Sequence, residues 1–138
     1  FFASRIFRHL YILTYNRIMN DCLFCKIIND EVPSYKIYED ADSLAFLDIN
    51  PRSPGHVQVI PKAHYRWVWD IPNYDNYSLV VQKIAKAIQG AFGTDEVWSR
   101  VIGEEIPHAH TWLFPDPNKA IGDKKDFEGN AEKIKINL

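Results

Sequence analysis

Two histidines stand two residues apart in Pro107-His-Ala-His-Thr-Trp-Leu-Phe-Pro115. β-Branched and aromatic residues enclosed by prolines predict a strand over Pro107 to Phe114. Side chains alternate along a strand, so His108, His110 and Trp112 share one face while Ala109, Thr111 and Leu113 take the other. Paired imidazoles can bind a metal, attack phosphorus or satisfy a polar core. For attack, a neutral imidazole near pH 7 offers one nitrogen lone pair, and the other ring N–H needs a fixed acceptor to lock the tautomer.

A second constellation is Cys22-Leu-Phe-Cys25. Two thiolates one helical turn apart can share a Zn²⁺, but its tetrahedron needs two more nitrogen or sulfur ligands. His9, His56, His64, His108 and His110 are the candidates. A buried, inert cysteine pair is the bland alternative. A redox pair fits less well, because that motif belongs near a βαβ pattern, which this chain lacks. Two cysteines make no disulfide framework and suit a reducing compartment, so a cytoplasmic location is expected.

The elements that must position these groups are modest in number. A chain of 138 residues is long enough for one domain with a real core. No apolar run approaches the ~20 residues needed to span a bilayer, so no membrane role is expected. Residues 1–20 contain Arg5, Arg8 and Arg17 and no acid, which leaves −5 on the remainder of a chain whose net charge is −2. An acidic body argues against field-driven nucleic-acid binding. Residues 1–18 match the composition of a transit peptide. The favoured expectation is that translation properly begins at Met19, the only methionine, so that 1–18 form an extension outside the fold and 19–138 a single domain.

Asp21 is expected to cap a short helix whose stripe is Phe24, Ile27 and Ile28. Strands follow over Tyr35–Glu39 and Ser43–Ile49, then a loop at Asn50-Pro-Arg-Ser-Pro-Gly55 and a third strand, His56–Pro61. In that strand His56, Gln58 and Ile60 oppose Val57 and Val59. A long helix buries Val81, Ile84, Ile88 and Phe92, with Gly93 just past its end. Val97–Gly103 and Pro107–Phe114 complete five strands, and the polar tail holds at best a helix near Ala131–Ile136. The class is α+β: a five-stranded, mainly antiparallel sheet with one long helix and a short N-terminal one. Trp67, Trp69 and Trp98 are expected in the core or at a dimer interface.

Taken in order, Asp21-Cys-Leu-Phe-Cys-Lys-Ile-Ile-Asn-Asp-Glu-Val-Pro-Ser-Tyr-Lys-Ile-Tyr-Glu-Asp40, Leu44-Ala-Phe-Leu-Asp-Ile49, Gly55-His-Val-Gln-Val-Ile-Pro-Lys-Ala-His64 and Ile106-Pro-His-Ala-His110 resemble the histidine triad (HIT) family, its Hint-like branch in particular. The similarity runs from about Asp21 to Pro115. It implies that His110 is a nucleophile that attacks the α-phosphorus of a purine nucleotide derivative, with a backbone carbonyl of its own strand holding its other ring nitrogen. It implies His56 beside the phosphate, Asp48 on the ribose hydroxyls, and Phe24, Ile27, Phe46 and Ile49 as walls around the base. It also implies a structural zinc on Cys22, Cys25, His64 and His108, and a homodimer.

Three departures qualify the resemblance. The family's third histidine is Trp112, whose indole N–H donates a hydrogen bond but hands over no proton at neutral pH. Glu104 stands where many members place a phosphate-contacting glutamine, and Glu105 replaces a serine found in some, which makes it at best a weak site candidate. The family asparagine upstream of the motif has no clear match in Val97-Trp-Ser-Arg100. A histidine pair can also serve a cupin-like barrel, but this chain has too few strands for one. The expected activity is a nucleotidyl hydrolase acting on phosphoramidates or dinucleoside polyphosphates. The alternative is a nucleotide-binding regulator that has lost turnover with the third histidine.

Overall fold

A computed structural model describes residues 2–138 of the chain, with side chains from residue 6 onward. Five strands are built from the alternating stretches: β1 (Lys36–Glu39), β2 (Ser43–Leu47), β3 (Val57–Pro61), β4 (Val97–Arg100) and β5 (Thr111–Pro115). They form one sheet in the order β1-β2-β3-β5-β4, and every neighbouring pair is antiparallel. The helices are α1 (Phe2–Asp21), α2 (Leu23–Ile28), α3 (Tyr74–Phe92) and α4 (Phe127–Lys135), with a 3₁₀ turn at Val68–Asp70. This is the expected α+β architecture.

Period-two alternation divides the sheet's side chains between two helical layers. Ala45, Leu47, Val57, Val59 and Leu113 join the core under α3, which buries Tyr77, Val80, Ile84, Ala87, Ile88 and Phe92. Each fully buried isoleucine in that layer contributes roughly 1.5–3 kcal/mol. On the opposite face, Leu44, Phe46 and Ile60 pack with Cys22, Phe24, Cys25 and Ile27 of the α2 region. The central strands β2 and β3 are therefore buried along their whole length. The histidines belong to the α2 side of this sandwich.

Several local expectations need correction. Asp21 does not cap α2; it is the last residue of α1, and the cap is Cys22, whose sulfur accepts from the Cys25 N–H at 3.5 Å. Regular pairing begins at Thr111, so both histidines precede β5 on an irregular approach. Alternation survives there because the Ala109 N–H donates to the Tyr65 carbonyl at 2.7 Å, which holds the segment extended. Strand β4 stops at Arg100 and β2 at Leu47. On α3, Val80 and Ala87 carry burial that the simpler stripe assigned to Val81, which is only half-buried. Gly93 closes α3 in the left-handed conformation at φ 66°, as its position past the helix predicts.

Trp67, Trp69 and Trp98 are exposed rather than in the core. Trp98 lies on the edge strand β4, and Trp67 is covered on one side by the Arg66 guanidinium 3.8 Å from its ring. Helix α1 is exposed over most of its length and meets the body through Met19, which packs against the α2 cluster. Among the described residues, no helix is long and apolar enough to cross a membrane.

Candidate active site and metal cluster

The turn at Cys22–Cys25, the residue after Pro61-Lys-Ala and the approach to β5 converge on one point. Cys22, Cys25, His64 and His108 place one ligand atom each within 4.8 Å of all the others. His108 Nδ1 lies 3.5 Å from each sulfur and 3.2 Å from His64 Nδ1, and His64 Nδ1 lies 3.3 Å from Cys25 Sγ. Zinc bonds of about 2.0–2.3 Å imply tetrahedron edges of roughly 3.3–3.8 Å, so the four donors fit such an ion with little movement. The other ring nitrogen of His108, Nε2, donates to the Pro61 carbonyl at 2.7 Å. That bond presents Nδ1 unprotonated to the cluster, as a metal ligand requires. Burial pushes the metal-free Cys25 thiol up to about 12, helped by Cys22, and holds His108 down to about 4. A bound cation would reverse the thiol's preference outright.

His110 lies one alternation further along. Its Nδ1 is 2.7 Å from the His108 carbonyl oxygen. A carbonyl only accepts, so the proton sits on Nδ1 and the Nε2 lone pair is free. Phe24 fixes the ring from the side, edge-on at 5.3 Å and 89°. The same phenylalanine meets Phe46 edge-on at 5.4 Å.

A cleft of about 540 Å³ opens beside His110. Phe24, Ile27, Phe46 and Ile49 form apolar wall; Asp48, Glu105 and Trp112 also line it. These predicted residues are thus brought together around one space. Glu104 is exposed and does not line the cleft. The Asp48 carboxylate accepts from the Asn50 N–H through Oδ1 and from Gln58 Nε2 through Oδ2, both at 2.8 Å.

His56 stands behind this wall rather than in it. It is 1% exposed, with its ring 5.1 Å from Trp112 and 5.0 Å from Phe114. The Arg52 N–H donates to His56 Nδ1 at 3.1 Å, so the neutral ring carries its proton on Nε2. That nitrogen faces Asp48 Oδ2 at 3.7 Å and makes no hydrogen bond among the described residues. Burial lowers the His56 pKa to about 4, with Asp48 opposing the shift and Arg52 adding to it.

Gln58 and Arg52 also line the cleft and were not among the sequence candidates. Gln58 carried a signal: a polar residue on a buried strand, on the same face as His56. Arg52 carried none, since a loop has no periodicity to read. Its guanidinium rests 5.0 Å above the Trp112 ring, and the residue lines the cleft.

Comparison with known proteins agrees with this geometry. The HIT-domain family matches residues 29–118. The adenosine 5'-monophosphoramidase of Saccharomyces cerevisiae is 37% identical over 106 residues, covering 73% of this chain and 66% of that protein. The crystal structure of a HIT-like protein from Bartonella henselae superposes with a TM-score of 0.77 at 36% identity, covering 86% of this chain and 98% of that one. A zinc-bound histidine triad family protein from Mycobacterium smegmatis superposes with a TM-score of 0.70 at 25% identity, covering 86% and 94%.

Proposed function

This chain belongs to the HIT family, and from that membership together with the cleft we propose that it hydrolyses purine nucleotide derivatives at the α-phosphate. The observation that carries the reading is the 2.7 Å bond from His110 Nδ1 to the His108 carbonyl, which leaves Nε2 free as a nucleophile. Nε2 forms a bond to phosphorus as the bond to the leaving group breaks. Water then attacks the nucleotidyl-histidine, and the electron pair returns to Nε2. Phe24, Ile27, Phe46 and Ile49 receive the base, and Asp48 keeps acceptor capacity on both oxygens for ribose hydroxyls. His56 supports this wall from behind as a neutral ring, and Glu105 borders the mouth. The similarity to a yeast monophosphoramidase supports an adenosine substrate.

Cys22, Cys25, His64 and His108 would hold a structural zinc, a reading supported by the donor geometry and by the zinc-bound relative. When bound, the ion supplies cross-linking of α2 to the approach of β5 rather than chemistry at phosphorus. The protein is expected to be cytoplasmic and a homodimer, and sedimentation velocity measures the second of these directly.

One observation favours the non-catalytic alternative, a nucleotide-binding regulator: Trp112 occupies the third histidine position. Trapping separates the two. A labelled adenosine phosphoramidate or diadenosine polyphosphate, quenched after brief incubation, should leave acid-labile label on the native protein and none on His110→Ala. Nucleotide binding without label on the native protein would favour the regulator.

A further inference from the structure

Arg52 is the one permanent cation among the described residues that line the cleft, against two acidic residues, Asp48 and Glu105. Its backbone is held firmly. The Arg52 N–H donates to His56 Nδ1 at 3.1 Å, and the next residue, Ser53, donates from Oγ to the Pro115 carbonyl at 2.7 Å. The side chain by contrast is exposed and rests over Trp112, with no carboxylate partner among the described residues. A guanidinium stacked on an indole at an exposed site is weakly held. It is also preorganised to take two oxygens of a sulfate or phosphate in parallel.

The rings on that wall supply no acid. Trp112 donates a hydrogen bond but no proton at neutral pH. His56 is buried and neutral, its pKa pushed down to about 4 by desolvation. An amine leaving group must gain a proton as its bond to phosphorus breaks. A sulfate or polyphosphate departs as a stable anion and needs none.

We infer that Arg52 is a specificity-determining residue that selects substrates whose leaving group is an oxyanion, sulfate or a phosphate chain, over substrates that release an amine. The inference rests on the reading of the cleft as a nucleotidyl-transfer site and narrows its substrate class. In the first step the His110 Nε2 lone pair forms the N–P bond while the P–O bond to the leaving group breaks. The electron pair stays on that oxygen, where Arg52 meets the charge. In the second step water forms the new P–O bond, the N–P pair returns to Nε2, and the water proton passes to solvent.

The test compares native protein, Arg52→Gln and Arg52→Lys on three substrates with a common adenylyl group: the 5'-phosphoramidate, the 5'-phosphosulfate and diadenosine tetraphosphate. Native kcat/KM should be about tenfold or more higher on at least one oxyanion substrate than on the phosphoramidate. Arg52→Gln should lower that value about tenfold or more and change phosphoramidate turnover less than about threefold, with Arg52→Lys recovering part of the loss. A loss on the phosphosulfate alone identifies sulfate as the source, and a loss on the tetraphosphate alone identifies a phosphate chain. Equal losses on all three substrates, no loss on either oxyanion, or a native preference for the phosphoramidate overturns the inference and leaves the hydrolase reading standing. Absence of turnover and of His110-dependent label with every substrate overturns both. Melting curves of the two variants show whether a loss reflects folding, and Arg52→Lys keeps the charge in any case.

Discussion

Gln58 Nε2 donates to Asp48 Oδ2 at 2.8 Å, from β3 to the residue just past the end of β2, and both residues line the cleft. The bond orients a carboxylate whose other oxygen is already tied to the Asn50 N–H. Gln58→Leu removes this bond and also removes Oε1, a buried acceptor without a partner among the described residues. Bonds to charged groups contribute about 1.5–3 kcal/mol, but a freed carboxylate at the cleft regains water, so the smaller end applies. KM for an adenosine substrate should rise about tenfold while kcat changes less than about threefold. The 2'-deoxy analogue should show a smaller rise. Matching rises for the two sugars would mean that Gln58 shapes the fold and not the ribose site.

Zinc removal should cost stability before it alters chemistry, because the four donors tie α2 and the His64 segment to the approach of β5. At free metal about a thousandfold above Kd, the linkage amounts to about 4 kcal/mol. In a chain of this size that corresponds to a fall in Tm of roughly 10 °C or more on chelation. Cys22→Ser should lose the metal and melt at the chelated value. Elemental analysis of purified protein, paired with melting curves with and without chelator, makes the measurement. A metal-free native protein whose Tm ignores added zinc would remove the ion from the account.

Most of the site was legible because its residues are chemically unusual at fixed spacing. Cys22 and Cys25 announced themselves by ligand type and spacing and the His108–His110 pair by its alternation, whereas the choice of His64 and His108 among five histidines, and of His110 as nucleophile, came from the resemblance to the family's ordered motifs. The strand boundary at His108 was less legible: the segment reads as a strand by composition, but regular pairing to β3 begins only at Thr111. Asp21 was misplaced because a free carboxylate before an apolar stripe looks like a cap, while the Cys22 sulfur, a weaker acceptor, fills that role. The tryptophans stand outside the core, which leaves the dimer interface as the remaining expectation for them, and their exposure was hidden for a different reason. Large aromatic residues are usually mostly buried, and no local pattern shows that β4 is an edge. Arg52 was invisible because its role depends on a ring sixty residues away in the chain.

His56 makes stability depend on pH in a defined direction. Its folded pKa is about 4 against an ordinary value of 6.5, chiefly through burial. Between those values the unfolded chain binds the proton and the folded chain does not, so stability rises with pH. The contribution is complete above about pH 6.5 and is lost as pH falls towards 4, with an upper bound of about 3 kcal/mol. Urea titrations of zinc-loaded native protein and His56→Gln at pH 7 and pH 4.5 isolate this group from the ligand histidines. The native protein should lose more stability than the variant over that interval. Parallel losses would assign the pH dependence elsewhere.

Trp112→His puts a protonatable ring where the indole now stands. Position 112 faces Gln58 across the β3–β5 ladder, lines the cleft and touches the His56 ring, so a new imidazole there lies within the reaction space. A positioned general acid contributes typically about 10²–10⁴-fold where a leaving group must be protonated. Phosphoramidate turnover should therefore rise by about tenfold or more, the lower figure reflecting a ring not evolved for the position. Oxyanion substrates gain no such step, and they also lose the stacking surface on which Arg52 rests, so their kcat/KM should stay level or fall. The ratio of the two rates is the decisive quantity, since a general loss of folded protein cancels from it. Replacing a half-buried indole by a smaller ring should destabilise the fold by about 1–3 kcal/mol, which melting curves will register separately. A ratio that stays at the native value would show that proton supply at this position does not govern which leaving group departs.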